Sequence, residues 1–295
     1  MTNVYDYFST PDRITSPGAH ASFFDPLPDD IASLVRVVQG LMIHVFWIER
    51  YGIQLDDARK EEVQLRSVER MVTRIIELDP RLLSEARELE KKLVGNCRDH
   101  SVLLTAMLRH KGIPARARCG FAKYFEADRH MDHWVVEYWN SEQKRWVFVD
   151  AQLDELQCNK LSIPFDPLDV PRDQFLVGGK AWQLCRAGQA DPDTFGIFDM
   201  KGLWFVRGDF IRDVASLNKM ELLPWDGWGL LDKRDQDLTP DDLSFLDQVA
   251  GLTAGDVPEF EKVRDLYENG PRLKVPGVIR SYTQAGVQTI DLNQL

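Results

Sequence analysis

The sequence predicts an α+β fold in which helices come first and antiparallel strands follow. Three observations carry this reading. Apolar residues recur at helical spacing through the first third of the chain. A run of helix formers, Ser101 to His110, is then stopped by Gly112 and Pro114. From Ala115 onward the pattern changes to short runs of β-branched and aromatic residues separated by turn residues. Helices followed by strands in this way suit an α+β domain.

Taken in order, residues 1–27 are rich in Pro, Ser, Asp and aromatics without periodicity, and are expected to form an extended N-terminal arm. Pro28-Asp29-Asp30 then opens a helix whose apolar face runs from Ile31 through Leu34, Val38, Leu41 and Val45 to Phe46, ending at Tyr51-Gly52. A second helix is expected from Glu61 to Leu78, stopped by Asp79-Pro80, and a third, heavily charged, from Arg81 to Leu93. Strands are expected over Ala115–Phe125, His133–Trp139 and Arg145–Gln152, with Asn140 to Lys144 as a hairpin loop. Further on, Arg172–Arg186 reads as a helix weakened by Gly178-Gly179, Gly202–Val206 as a short strand and Phe210–Met220 as a short helix. Pro240–Val249 and Val257–Tyr267 read as amphipathic helices. The organisation that follows is an arm (1–27), a core (28–160) and a C-terminal α/β extension (161–295) expected to pack on the core and line its cleft.

The bulk numbers exclude several classes. With 36 Lys and Arg against 47 Asp and Glu in 295 residues, the net charge is −11 and no basic stretch forms, so nucleic-acid binding is not expected. No apolar run is long enough for a membrane span, and MTNVYDYFSTPDR does not read as a signal peptide. Cys97, Cys119, Cys158 and Cys185 lie far apart without a CxxC pair, as reduced thiols of a cytoplasmic protein would. Gly178-Gly179 lacks the context of a nucleotide-binding turn, and no cofactor is expected. Trp182, Trp204, Trp225 and Trp228 read as core or cleft walls, and nothing in the sequence addresses oligomeric state.

The chemistry centres on Gly95-Asn96-Cys97-Arg98-Asp99-His100-Ser101. Asn96 is a good N-cap and Asp99, three residues on, is the acidic partner of a capping box. Cys97 then occupies the first helical position, where unpaired N–H groups and the positive dipole end favour thiolate. If the hairpin turn centres near 141–142, His133 pairs with position 150 or 151, which puts Asp150 beside it. A carboxylate there would fix the imidazole tautomer, and the imidazole would serve Cys97 as base. Gln39 and Trp47 are candidate second donors to an oxyanion. Asp132 either tunes this pocket or is a solvated loop residue, and Cys119 belongs to the core. A different reading groups Cys97, His100, His130 and His133 as a structural zinc site.

Three blocks carry a family resemblance: GNCRDHSVLLTAMLRHKGIPARARCGF, then DHWVVEYW, then RWVFVDAQLD. From Gly95 to about Asp154 the chain resembles the transglutaminase-like superfamily, in its bacterial, single-chain form. The resemblance implies a papain-like core with Cys97 as nucleophile, His133 as general base and acid, and Asp150 as orienter. It implies acyl transfer from a peptide or protein amide, or a small amide, through a thioester, with water or an amine as acceptor. Arg98 stands where many members have tryptophan, which bears on substrate type. Nothing resembles the calcium-binding or immunoglobulin-like domains of animal transglutaminases. Because the superfamily includes members without activity, the alternative is a non-catalytic binding or scaffold protein.

Overall fold

The computed structural model describes residues 3–256 and 258–295, so the expected helix start at Val257 lies outside them. In chain order the helices are α1 (Val4–Phe8), α2 (Ile31–Leu41), α3 (Asp57–Lys60), α4 (Val68–Leu78), α5 (Cys97–His110), α6 (Glu155–Leu161), α7 (Gly178–Arg186), α8 (Leu203–Leu217), α9 (Pro240–Thr253) and α10 (Phe260–Asn269). The strands are β1 (Met42–His44), β2 (Leu93–Gly95), β3 (Ala115–Ala122), β4 (His130–Asn140), β5 (Arg145–Val149), β6 (Phe175–Val177), β7 (Phe195–Ile197), β8 (Met200–Lys201), β9 (Asp226–Gly227), β10 (Val278–Thr283) and β11 (Gly286–Asp291). This mixture is the α+β class that the sequence predicts. The chain divides into two compact units, Met1–Ala117 with Val135–Val170 and Arg118–Trp134 with Pro171–Leu295, so the boundary falls inside β3 and inside β4.

In the first unit, α2 opens with Asp30 as its cap, the side chain accepting from the Ser33 N–H. The helix expected to end at Tyr51-Gly52 stops at Leu41 instead, because the chain turns into β1 and pairs in parallel with β2, Met42 opposite Leu93 and His44 opposite Gly95. The second expected helix is divided into a 3-10 turn at Glu61–Gln64 and α4, whose buried stripe is Val68, Met71, Val72 and Ile75, and α3 precedes it. The third, Arg81–Leu93, is not a helix. Its buried Arg87 donates to the carbonyls of Asp79, Arg81, Leu82 and Glu85, so the loop folds around one guanidinium in place of an i→i−4 ladder. The N-terminal stretch expected to be extended carries α1. Phe8 is fully buried and lies edge-on to Trp146, while Arg116 stacks 4.0 Å over the Trp146 ring and pairs with Glu137 at 2.7 Å.

The second unit pairs β6 antiparallel with the end of β3, Gly120 opposite Val177, and β7 in parallel with the start of β4, His130 opposite Phe195. β10 and β11 form a hairpin that the sequence reading did not identify. Gly202–Val206, expected to be a strand, leads into α8. This single helix replaces the expected strand and short helix, and it is buried nearly all round. It carries Arg207, Asp209, Arg212 and Asp213 inside, so no polar face marks its course. β6 runs directly into α7, and the two glycines there serve packing: a Cβ at Gly178 would meet Phe210 Cα at 2.5 Å, and one at Gly179 would meet Thr253 Oγ1 at 2.4 Å.

Candidate active site

Cys97 is the first residue of α5, and the sequence around it accounts for its position. β2 delivers the chain to Gly95, where a Cβ would meet Met42 Cε at 2.4 Å and Asp99 Cβ at 3.0 Å, so a larger residue here requires the Met42 side chain to move. Asn96 Oδ1 accepts from the Asp99 N–H at 3.2 Å, and Asp99 Oδ2 accepts from the Asn96 N–H at 2.9 Å, which completes the capping box. Burial pushes the Asp99 carboxyl up, while the neighbouring Arg98 works against this. Arg98 itself is fully buried, held by Asp99 Oδ1 at 2.9 Å and by the Arg66 carbonyl at 2.6 Å. Where many superfamily members have tryptophan, this chain therefore has a strut that ties α5 to the 65–66 loop.

His100, one turn along α5, presents Nδ1 to the Asn96 carbonyl at 2.9 Å. Burial lowers its pKa to about 4, outweighing Asp150 and Asp154, so its ring is neutral at pH 7. Asp150 is completely buried; its Oδ1 accepts from the Gln152 N–H at 3.0 Å and its own N–H donates to the Pro167 carbonyl at 2.9 Å. The hairpin register differs from the expected one. Asn140 pairs with Arg145 and Val136 with Val149, so the turn centres between Glu142 and Gln143. Asn140 Oδ1 accepts from the Glu142 and Gln143 N–H groups and Lys144 takes φ 53°, which makes a four-residue turn. The ladder ends at Val149, so the expected pairing of His133 with position 150 or 151 is not part of it.

In the second unit, His133 is 2% exposed and packs edge-on against Phe125 at 4.8 Å and Tyr124 at 5.9 Å. These two aromatics follow β3 and shape the ring's surroundings, a role the sequence reading missed. His130 stacks on Phe195 at 4.0 Å. The zinc reading is corrected: His100 is committed to Asn96, and the one group of three His, Cys, Asp or Glu ligand atoms within 4.8 Å among the described residues is Cys119, Asp132 and Asp209. Gln39 Nε2 donates to the Leu153 carbonyl at 3.1 Å. Trp47 lies beyond α2, buried with Arg50 4.4 Å over its ring. A surface groove of about 770 Å³ in the first unit is lined by Gln39, Asp154, Glu155, Leu156, Asn159 and Lys160.

The four cysteines form no disulfide. Burial pushes the thiols of Cys158 and Cys185 up to about 11 and raises that of Cys119 well above the ordinary thiol range. Among the described residues no helix is long and apolar enough to cross a membrane.

No curated protein matches the chain significantly. One solved structure with a likeness is that of a candidate cysteine protease from Cytophaga hutchinsonii, at 15% identity and a TM-score of 0.35, covering 59% of this chain and 46% of that one. The chain thus spans less than half of that protein's length. Residues 55–151 match the transglutaminase-like superfamily, and this segment includes the α5 start, β3 to β5 and Asp150. Over these residues, about a third of its length, the chain is similar to the transglutaminase-like superfamily.

Proposed function

We propose that the protein is a cysteine-nucleophile acyl-transfer enzyme acting on an amide, with Cys97, His133 and Asp150 as its triad. The observation that carries this reading is Cys97 at the first position of a 14-residue helix, behind a complete capping box, inside the segment that matches the superfamily. The positive dipole end of that helix favours thiolate. His100 is a poor base, because burial lowers its pKa to about 4 and its Nδ1 is engaged by the Asn96 carbonyl. His133 takes that role, with Asp150 stabilising its charged form.

The thiolate of Cys97 attacks the amide carbonyl to form a tetrahedral adduct. His133 passes a proton to the nitrogen as the C–N bond breaks, so the amine leaves and a thioester remains. Water or an amine, deprotonated by His133, then attacks the thioester and regenerates the thiolate. A peptide or protein amide, or a small amide, fits this chemistry equally.

The test is iodoacetamide labelling across pH, with each modified cysteine located by mass spectrometry. Cys97 is expected to label first, below the pH range of ordinary thiols, and at least about tenfold more slowly in His133→Ala. Cys119, Cys158 and Cys185 serve as internal references, since burial pushes all three up. Labelling of Cys97 no faster than these three would overturn the proposal.

A further inference from the structure

Three side chains of the second unit that acyl transfer does not use bring metal-binding atoms together. Cys119 of β3 offers a sulfur, and Asp132 of β4 and Asp209 of α8 each offer a carboxyl oxygen, the three atoms all within 4.8 Å of one another. A tetrahedral ion with bonds of about 2.0–2.3 Å holds its donors about 3.3–3.5 Å apart, so binding draws each pair together by no more than about 1.5 Å. The elements that carry them are already tied. Cys119 N–H donates to Asp213 Oδ1 at 3.1 Å, one turn along α8 from Asp209, and Arg118 engages both oxygens of Asp213 at 2.8 Å. β4 is paired beside Asp132, with Met131 opposite Gly196 of β7. Donors on helices and strands fixed in this way make a preformed site.

What points to a ligand is the state of the oxygens. Asp209 is 1% exposed; its Oδ1 accepts from Arg212 Nη1 at 3.2 Å, whereas its Oδ2 is buried without a hydrogen-bond partner. Asp132 Oδ1 is buried without one as well. Arg212 does not serve them both, because its Nη2 is directed to the Asp226 carbonyl at 3.3 Å. A buried carboxyl oxygen with nothing to accept from is costly, and a cation between them would satisfy both at once. Charge agrees. Ionised, the two carboxyls and the thiol carry three negative charges against the single positive charge of Arg212, and a divalent ion brings the sum to zero. The donor set selects among such ions: Ca²⁺ and Mg²⁺ take oxygen, while Zn²⁺ takes thiolate and carboxylate together.

We propose that Cys119, Asp132 and Asp209 form a Zn²⁺ site that ties α8 to β3 and β4, with water as the fourth ligand. Asp132 is the least buried of the three and marks the side from which the ion and its water enter. As the Zn–S and Zn–O bonds form, the thiol proton leaves to solvent and no group changes oxidation state. The site is independent of the acyl-transfer reading, and neither needs the other.

The full chain, stripped of metal by a chelator, is titrated with Co²⁺, which takes the same ligands and reports a bound thiolate by near-ultraviolet charge-transfer absorption. The band should saturate at one equivalent and be displaced by Zn²⁺. It should persist in Cys97→Ala and vanish in Cys119→Ala, and Asp209→Asn should weaken Zn²⁺ binding at least about tenfold. No band in the unmodified chain, or a band that Cys119→Ala keeps, overturns the proposal, the second because the ion then sits on another thiol. X-ray absorption at the zinc edge of the unmodified, zinc-loaded chain needs no variant to fold: one sulfur among oxygen neighbours is expected, and no sulfur or several would overturn the site. Cys97 labelling that ignores His133→Ala would end the enzyme reading and leave every one of these outcomes untouched.

Discussion

Two helices, α5 in the first unit and α8 in the second, bury almost every residue they have, and each carries four Arg, Asp or His side chains inside. In α5 these are Arg98, Asp99, His100 and Arg109; in α8 they are Arg207, Asp209, Arg212 and Asp213. The charges of α5 are spent mainly on backbone. Arg98 and Arg109 donate to the carbonyls of Arg66 and Ala115, and Asp99 and His100 serve the helix's own first turn. Those of α8 meet other charges, Asp213 with Arg118 and Asp209 with Arg212 and Asp132. A buried charge that satisfies backbone fixes a loop or a helix end. One that meets another charge can also titrate, and the two helices should respond to pH with opposite sign.

The largest expected effect breaks an ion pair of α8. Arg118→Met leaves Asp213 buried with its charge uncompensated, since both groups are fully buried, and should cost about 3–5 kcal/mol. Urea unfolding at pH 7 reads this directly. A loss below about 1 kcal/mol would show that the charges of α8 are not held by that pair, and the contrast with α5 would fall.

Next is the opposed pH dependence. The folded pKa of His100 is about 4 against 6.5 in the free residue, so the folded state resists protonation. Its stability contribution is complete above pH 6.5 and is lost as pH falls toward 4, to a total of about 3 kcal/mol. Asp209 acts the other way. Its folded carboxyl is raised, so the folded state holds an extra proton above the ordinary aspartate range, and stability falls as pH rises through that window. Urea midpoints between pH 4 and 7 should therefore lose their acid slope in His100→Gln, and Asp209→Asn should gain on the unmodified chain as pH increases. Parallel curves for either variant would assign the slope to other groups.

The same contrast explains what could be read from the sequence. The start and end of α5 are written in local signals, an Asn–Asp capping box before it and Gly112 with Pro114 after it, which act over a few residues whatever the rest of the chain does. α8 begins at Gly202, with φ 106° and no side-chain cap, and its first residues Leu203 to Val206 suit a strand as well as a helix. Nothing polar marks an outward face, so only tertiary packing decides. Long-range pairing defeated the reading in the same way at β1, where parallel contact with β2 ends an apolar helical run, and at Arg87, where one side chain organises a loop out of a helix-like composition. For the candidate site, residue types were legible and register was not. The Asn140 turn moves the hairpin pairing, and the aromatic surroundings of His133 come from a loop without a motif.

The smallest effect tests the locality of α5 itself. Asn96→Ala removes the acceptor for the Asp99 N–H and should cost about 1 kcal/mol, read as a lower thermal midpoint. Asn96→Ser keeps an oxygen in the capping position. It also removes Asn96 Nδ2, which is buried without a partner, so serine should cost less than alanine and can approach the unmodified chain. Because Cys97 follows the cap directly, fraying of this end lets the thiol leave the helix dipole, and iodoacetamide labelling of Cys97 should slow in the alanine variant and recover with serine. Equal losses in the two variants would mean that α5 is placed by its packing alone, like α8, and the difference between the two helices would then lie only in what their buried charges meet.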